Sequence, residues 1–188
     1  MKVVTPKEMA VMDRQTVAAG TPSIELMERA GHACADIIEE DLDDDAQIII
    51  LCGPGNNGGD GLVIGRSLIE DGYTVHLFLT ADETQLSADN RISLKRLEEK
   101  NIPIRPLQSD ADLEDLSLIM KRATHVVDAI FGTGLVDKEI PEIYNRIFDL
   151  VNDFENTKIA IDIPSGLRGD IGLNIGNAIF ADKTIVIQ

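Results

Sequence analysis

A glycine-rich stretch at residues 53–61 separates an apolar run from an amphipathic one, and it constrains the fold more than any other segment. Five of its nine residues are glycines, and each glycine loses more backbone entropy on ordering than any other residue type. A glycine turn between a strand and a helix allows close approach to the backbone and presents free N–H groups, which bind anions. The stretch therefore predicts a ligand-binding strand–turn–helix unit.

Apolar runs typical of strands alternate with helical patterns along the rest of the chain. Continuous Ile- and Val-rich runs are typical of strands covered on both faces, and this alternation favours right-handed parallel crossovers. We therefore expect an α/β fold with a mostly parallel, doubly wound sheet. The predicted strands are 47–52, 74–79, 102–107, 123–130, 158–163 and 183–187, and the predicted helices between them lie near 60–71, 84–100, 110–122 and 139–153.

Two helices are predicted before the first strand. Residues 5–8 form a capping box with proline at the first helical position. A second helical stripe begins at Ser23, a candidate N-cap, and ends in the acidic run 39–45. The length of 188 residues fits one domain, so residues 1–188 are expected to form a single domain. Because the last residues read as a strand without a following turn, we expect this domain to have been cut from a longer chain.

Charge and hydropathy exclude several classes of partner. The net charge of −16 argues against nucleic acid, because nucleic-acid binders concentrate Lys and Arg. No apolar run approaches the roughly 18 residues of a membrane span, and the N-terminus lacks the apolar region of a signal peptide. We expect a soluble, cytoplasmic protein. Cys34 and Cys52 lack the spacing of a disulfide framework or a zinc site and are expected to lie in the core.

Gly53, Gly55 and Gly58 satisfy the dinucleotide-binding pattern G-x-G-x-x-G in its strand-to-helix context. The pattern alone is weak evidence for dinucleotide binding, because two asparagines and an aspartate crowd the place where a pyrophosphate would lie. Gly59-Asp60 stands where a Walker A loop needs Lys and Ser or Thr, so that loop is excluded. A NAD-dependent dehydrogenase is one competing interpretation, and hydride transfer would reveal it.

Two further predicted strands also end in polar, glycine-containing turns, at 131–135 and 163–167. In the common strand order 3-2-1-4-5-6, strands one, four and five are neighbours, so the three turns meet at the carboxyl edge of the sheet. Neighbouring strands lie ~4.8 Å apart, which lets the three turns share one small ligand. The convergence of these turns predicts a binding site.

Asp128 and Asp162 are predicted to lie inside apolar strands, where a carboxylate needs a donor, a cation or a proton. The structural alternative is that each carboxylate only accepts hydrogen bonds from backbone amides of a neighbouring turn. Asn57 and Ser165 add neutral oxygens near these carboxylates. A hard monovalent cation held by Asn57, Asp128 and Ser165 would offset the acidic charge, and turn hydrogen bonding is again the alternative.

Four motifs in this chain resemble those of the NAD(P)H-hydrate epimerase family, the YjeF N-terminal domain. They lie at 20–31, 52–61, 128–135 and 162–167, so the resemblance covers almost the whole chain. It implies a Rossmann-like, three-layer α/β/α fold with two N-terminal helices. It also implies a nucleotide-binding isomerase that interconverts the R and S hydrates of NADH and NADPH at carbon six of the nicotinamide ring, a metabolite-repair step.

The resemblance implies further partners and residue roles. Asp162 would be catalytic, potassium would be bound by Asn57, Asp128 and Ser165, and the enzyme would be coupled to an NAD(P)H-hydrate dehydratase, fused or separate. It also suggests a homodimer through the N-terminal helices. A non-catalytic nucleotide-sensing or protein-binding scaffold of the same fold is the alternative function. The implied substrate-binding residues are Asn56, Asn57, Gly58, Gly59, Asp60, Gly132, Thr133, Gly134, Leu135, Val136, Asp137, Lys138 and Asp162.

The implied reaction is compatible with one carboxyl group. A hydroxyl next to a ring nitrogen can leave with help from the nitrogen, and water can return to the other face of the ring. One carboxyl can protonate the leaving hydroxyl and then deprotonate the entering water. We assign both steps to Asp162 as a hypothesis, because it is predicted at a buried strand end that faces the glycine turns.

Overall fold

A computed structural model describes residues 5–134, 140–169 and 177–187. Within these residues, one sheet of six parallel strands has the order β3-β2-β1-β4-β5-β6, which confirms the predicted doubly wound topology. The strands are β1 (Gln47–Cys52), β2 (Thr74–Leu79), β3 (Ile104–Pro106), β4 (His125–Ala129), β5 (Thr157–Ile161) and β6 (Lys183–Ile185). The helices are α1 (Pro6–Ala18), α2 (Ser23–Glu39), α3 (Asn56–Glu70), α4 (Ala88–Glu99), α5 (Asp110–Met120) and α6 (Glu142–Asn152).

Both faces of the sheet are covered, as the continuous apolar strands predict. In β1, Ile48 and Ile50 point into a core shared with α2, α3 and α4, whereas Ile49 and Leu51 point into a core shared with α5 and α6. All four side chains are fully buried, and each contributes about 1.5–3 kcal/mol of hydrophobic stabilisation. The result is the expected three-layer α/β/α arrangement.

The two N-terminal helices precede the sheet as predicted. The predicted cap of α1 is confirmed, whereas that of α2 is not. Thr5 caps α1 through the expected capping box, because the Thr5 N–H donates to Glu8 Oε2 at 2.8 Å and the Glu8 N–H donates back to Thr5 Oγ1. The prediction that Ser23 caps α2 was wrong. Pro22 occupies the N-cap position, and Ser23 Oγ instead donates to Asp89 Oδ1 at 3.0 Å, joining α2 to α4.

Several element boundaries also differ from prediction. Helix α3 begins at Asn56 rather than near residue 60, so the polar residues of the glycine-rich stretch lie in its first turn. The helical pattern at 84–100 divides into a 3-10 turn, Glu83–Gln85, and α4, which Ser87 caps. The strand predicted at 158–163 ends at Ile161, so Asp162 lies just beyond β5 and not inside it.

Other expectations about the chain can be checked against this fold. Cys34 and Cys52 are buried free thiols, which confirms their assignment to the core. Burial raises the pKa of Cys34 to about 12 and that of Cys52 still further. In the part of the chain that the structure describes, no helix is both long enough and apolar enough to cross a membrane.

Candidate active site

A cleft of about 500 Å³ opens at the carboxyl edge of the sheet, where the turns after β1, β4 and β5 meet. Helices α1 and α2 close its other side. The three turns meet beside the topological switch point, as the predicted strand order requires. The described residues that line the cleft are Met9, Asp13, Val17, Ser23, Leu26, Met27, Ala30, Gly55, Asn56, Asn57, Asp60, Asp89, Ile130, Phe131, Gly132, Thr133, Gly134, Asp162 and Ile187.

The glycine-rich stretch after β1 is packed too closely for a side chain at two of its positions. The Gly53 N–H donates to Ala129 O at 3.0 Å, and a Cβ at Gly53 would lie only 1.8 Å from Ile130 O. A Cβ at Gly58 would lie 1.9 Å from Gly53 O, so the first turn of α3 folds directly onto the preceding turn. Glycine is therefore required at both positions by backbone contacts, which brings the N-terminus of α3 into the cleft.

The N-terminal end of α4 holds the glycine turn from the other side. Asn90 is fully buried, and its Nδ2 donates to Gly53 O and to Gly55 O, each at 2.9 Å. The Ser87 N–H donates to Pro54 O at 2.9 Å, and Ser87 Oγ donates to Asn56 Oδ1 at 2.7 Å. These hydrogen bonds from Ser87 and Asn90 were not predicted from the sequence. Their only signal is a polar residue, Asn90, at a core-facing position of a helix.

Asp162 is the residue that links the turns after β4 and β5. It adopts a left-handed conformation with φ of 70°, which is uncommon for a residue other than glycine. Its N–H donates to Ile185 O at 2.8 Å, and its Oδ2 accepts from the Thr133 N–H at 2.7 Å. A Cβ at Gly132 would lie 2.5 Å from the same Oδ2, so this carboxylate occupies the space that the glycine leaves.

Asp60 also lines the cleft, from the first turns of α3. Its carboxyl group is partly buried and has no hydrogen bond or ion pair within the described residues. Burial raises the pKa of Asp60 to about 8, and the charges of Asp162 and Asp13 add to the increase. Asp60 is therefore suited to carry a proton near neutral pH.

Asp128 lies beneath the cleft, fully buried in β4. It accepts hydrogen bonds from the Ser165 N–H at 2.7 Å, from Ser165 Oγ at 2.6 Å and from the Ile130 N–H at 3.2 Å. Ser165 Oγ in turn accepts from the Phe131 N–H at 2.9 Å. Burial raises the pKa of Asp128 to about 6, although these donors oppose the increase. The pair Asp128 and Ser165 thus ties together the turns after β4 and β5.

Asn57 supplies the remaining member of the predicted potassium set. Its Oδ1 and Nδ2 are buried and have no hydrogen-bond partner among the described residues. An unpaired buried amide is costly, and a cation would satisfy its oxygen. No cluster of three or more His, Cys, Asp and Glu side chains suited to a metal occurs in residues 5–134, 140–169 and 177–187. The predicted set therefore offers one carboxylate and neutral oxygens, which fit a hard monovalent cation.

Seven of the thirteen predicted substrate-binding residues are among the described residues that line the cleft. Gly58 and Gly59 belong to α3 but face inward, where Gly58 meets Gly53 and Gly59 meets Met27 and Asn90. Leu135, Val136, Asp137 and Lys138 lie outside the described residues. Those that line the cleft are Asn56, Asn57, Asp60, Gly132, Thr133, Gly134 and Asp162.

Residues 23–188 match the protein family described as YjeF-related protein N-terminus. The bifunctional NAD(P)H-hydrate repair enzyme Nnr of Salinibacter ruber is 37% identical over 193 aligned residues, which cover 97% of this chain and 35% of that enzyme. The chain thus spans about a third of the length of this bifunctional relative. The NAD(P)H-hydrate epimerase of Anaerococcus prevotii is 35% identical over 100% of this chain and 85% of its own length.

A solved structure shows the same fold. The crystal structure of yeast ynu0, YNL200c, superposes with a TM-score of 0.76 at 26% sequence identity and covers 89% of this chain and 72% of the yeast chain. The family match extends from the second helix through the last strand and includes all three turns of the cleft. The chain therefore belongs to the family of YjeF-related protein N-terminal domains.

Proposed function

We propose that this protein is an NAD(P)H-hydrate epimerase, an isomerase that interconverts the R and S hydrates of NADH and NADPH. The observation that carries the proposal is the Asp162 carboxylate, which the Thr133 N–H holds in a cleft built from three strand-end turns. Relatives named as epimerases match along the whole chain, and those named as bifunctional repair enzymes match it over about a third of their length.

The N-terminus of α3 is the proposed binding point for the phosphates of the substrate. The first N–H groups of a helix lack acceptors within the helix, and the earliest intrahelical bond here runs from the Gly59 N–H to Gly55 O at 3.3 Å. Asn56 and Asn57 at this end line the cleft. None of the cleft-lining residues that the structure describes is Lys, Arg or His, so the donors available to an anion there are neutral: backbone N–H groups and the side chains of Asn, Ser and Thr.

Asp162 is the proposed acid and base at the reacting carbon. Its Oδ2 is fixed by Thr133, whereas Oδ1 has no hydrogen bond within the described part of the chain. A carboxyl group held in this way can exchange a proton with a hydroxyl group without losing its orientation. The unusual backbone conformation of Asp162 supports this role, because strained residues cluster at functional sites.

Potassium is the proposed cofactor, with Asn57, Asp128 and Ser165 as its side-chain ligands. The unpaired Asn57 amide and the buried Asp128 carboxylate support this assignment. When bound, the cation would neutralise the buried charge and brace the turns. Asp128 and Ser165 themselves fix the backbone of residues 130–131, which leads directly to Gly132 and Thr133.

A dehydratase is the proposed functional partner, because bifunctional repair enzymes are among the relatives. A homodimer through the N-terminal helices is also proposed, and the exposed apolar residues Val11, Met12 and Val17 of α1 support it. A cytoplasmic location stays a prediction.

Replacing Asp162 by Asn tests the catalytic assignment. Asn keeps the volume and can still accept from the Thr133 N–H, but it cannot transfer a proton, so kcat/KM is expected to fall about 10²–10⁴-fold. Conversion of purified R hydrate to S hydrate, followed by chromatography, measures the effect. The matched control is Asp36→Asn, which makes the same change in charge at an exposed position of α2. A folded Asp162→Asn variant with nearly wild-type turnover would contradict the assignment.

Thermal unfolding in potassium and in sodium tests the cofactor. A ligand that binds only the folded state at ten times its Kd stabilises it by about 1.4 kcal/mol, which raises Tm by roughly 3–6 °C in a protein of this size. We expect this increase with potassium, and we expect Ser165→Ala to abolish it. Ser117→Ala on α5 is the control. Equal Tm values in both salts would argue against the cation site.

A further inference from the structure

The cleft carries more carboxyl groups than the single-carboxyl reaction needs. Four of its described lining residues are aspartates: Asp13, Asp60, Asp89 and Asp162. Asp89 accepts from Ser23, Asp162 accepts from Thr133, and Asp13 lies exposed on α1. Among these four, only Asp60 is partly buried and also lacks a hydrogen bond or ion pair in the described chain. Such a carboxyl destabilises the fold, which points to a functional role.

Asp60 and Asp162 line the same cleft from separate elements of the fold. Asp60 lies on α3, which follows β1, whereas Asp162 follows β5. Strand β4 pairs with both β1 and β5, so the two supporting strands are two spacings apart, about 10 Å. The two carboxyl groups thus come from supports on either side of β4, an arrangement in which a ring bound at the turn after β4 can lie between them.

The surroundings of the two groups also differ. Asp60 is surrounded by other acidic or neutral groups: Asp13 of α1, Cys34 of α2 and Asp162 beyond β5. Asp162 instead receives a backbone hydrogen bond from Thr133. A carboxyl group without a hydrogen-bond donor and one held by a backbone N–H can take different roles in proton transfer.

We propose, building on the epimerase function, that Asp60 is a second catalytic carboxyl and that Asp60 and Asp162 act on opposite faces of the hydrated nicotinamide ring. For one epimer, protonated Asp60 donates its proton to the hydroxyl group, the C–O bond breaks, and water leaves. The lone pair of the ring nitrogen forms a C=N bond and stabilises the cation.

Water then attacks the same carbon from the other face and completes the inversion. The new C–O bond forms, the C=N electron pair returns to nitrogen, and Asp162 takes the proton of the entering water. The enzyme ends with Asp60 ionised and Asp162 protonated, which is the state that catalyses the reverse reaction. Passage of one proton from Asp162 to Asp60, directly or through water, restores the starting state, and no oxidant or reductant is needed.

Oxygen exchange with ¹⁸O-labelled water separates the two-carboxyl mechanism from the single-carboxyl one. In Asp60→Asn, we expect epimerisation to slow about 10²–10⁴-fold. The epimer whose hydroxyl faces Asp162 should still exchange its oxygen with retained configuration. In Asp162→Asn, the other epimer should show this exchange. Asp71→Asn, an exposed change at the far end of α3, should behave as wild type.

Each outcome of this experiment is decisive. The two-carboxyl mechanism would be overturned by an Asp60→Asn variant whose epimerisation rate is within a few-fold of wild type. It would also be overturned by a variant that loses oxygen exchange equally in both epimers. A wild-type protein that accelerates neither epimerisation nor exchange would overturn the proposed function itself, which is a distinct result.

The pH profile of the wild-type protein gives a second measurement that does not depend on a variant. The two catalytic states each carry one proton between Asp60 and Asp162. With the pKa of Asp60 raised to about 8, kcat/KM is expected to fall above this pH, both for conversion of R to S hydrate and for the reverse reaction. A profile that stays flat from pH 7 to pH 10 would overturn the proposal.

Discussion

At the scale of single residues, the Asp60 carboxyl group should lower the stability of the fold. Its pKa is about 8 in the folded protein, against ~3.9 for an unfolded aspartate, so the folded state disfavours the charged form. This penalty is absent below pH ~4, grows as the pH rises, and is complete above pH ~8. Asp60→Asn removes it, because the amide carries no charge.

We therefore predict that Asp60→Asn raises Tm at pH 8, by roughly 2–4 °C for each kcal/mol regained, and leaves Tm almost unchanged at pH 4. Thermal unfolding at pH 4, 6 and 8 measures the difference, with Asp71→Asn as the control. A lower Tm for Asp60→Asn at pH 8 would show that the carboxyl group stabilises the fold.

The sequence predicted some of the site residues and missed others, for a physical reason. Asp128, Asp162 and Ser165 could be found because each interrupts or follows an apolar run, where a polar side chain is costly without a partner. Asn90 could not be assigned, because its acceptors Gly53 O and Gly55 O are backbone atoms more than thirty positions away. Local sequence does not show which distant carbonyl groups a helix will meet.

At the scale of elements, the glycine turn and the first turn of α3 form one unit. The helix was predicted to begin near residue 60, after most of the glycines, which have low helix propensity. In the structure, contacts between Gly53 and Gly58 and the hydrogen bonds from Asn90 and Ser87 fix this segment as a helical turn. Tertiary contacts therefore override propensity at this boundary.

A matched pair of substitutions tests this packing. A Cβ at Gly58 would lie 1.9 Å from Gly53 O, whereas a Cβ at Gly55 would meet no atom within 4 Å. We predict that Gly58→Ala lowers the free energy of unfolding by about 3 kcal/mol or more, and that Gly55→Ala changes it by about 1 kcal/mol or less. Urea unfolding measures both. Equal effects of the two variants would contradict the structure of the turn.

At the scale of the whole molecule, strand order could be predicted because chain connectivity and twist restrict it. Parallel strands joined by helices cross over with one hand, and the order found here is the common one. The position of α1 beside the cleft could not be predicted in the same way. Its apolar residues Met9 and Val17 form an ordinary amphipathic stripe, which does not specify the surface that it contacts.

The whole fold places three distant turns around one cleft, and we expect this cleft to catalyse epimerisation. The most direct measurement is the conversion of purified R hydrate to S hydrate by the wild-type protein in potassium buffer, followed by chromatography against the spontaneous rate. We predict that the mixture reaches equilibrium orders of magnitude faster with the protein. Binding of the hydrate without any acceleration would contradict this expectation and favour a non-catalytic scaffold.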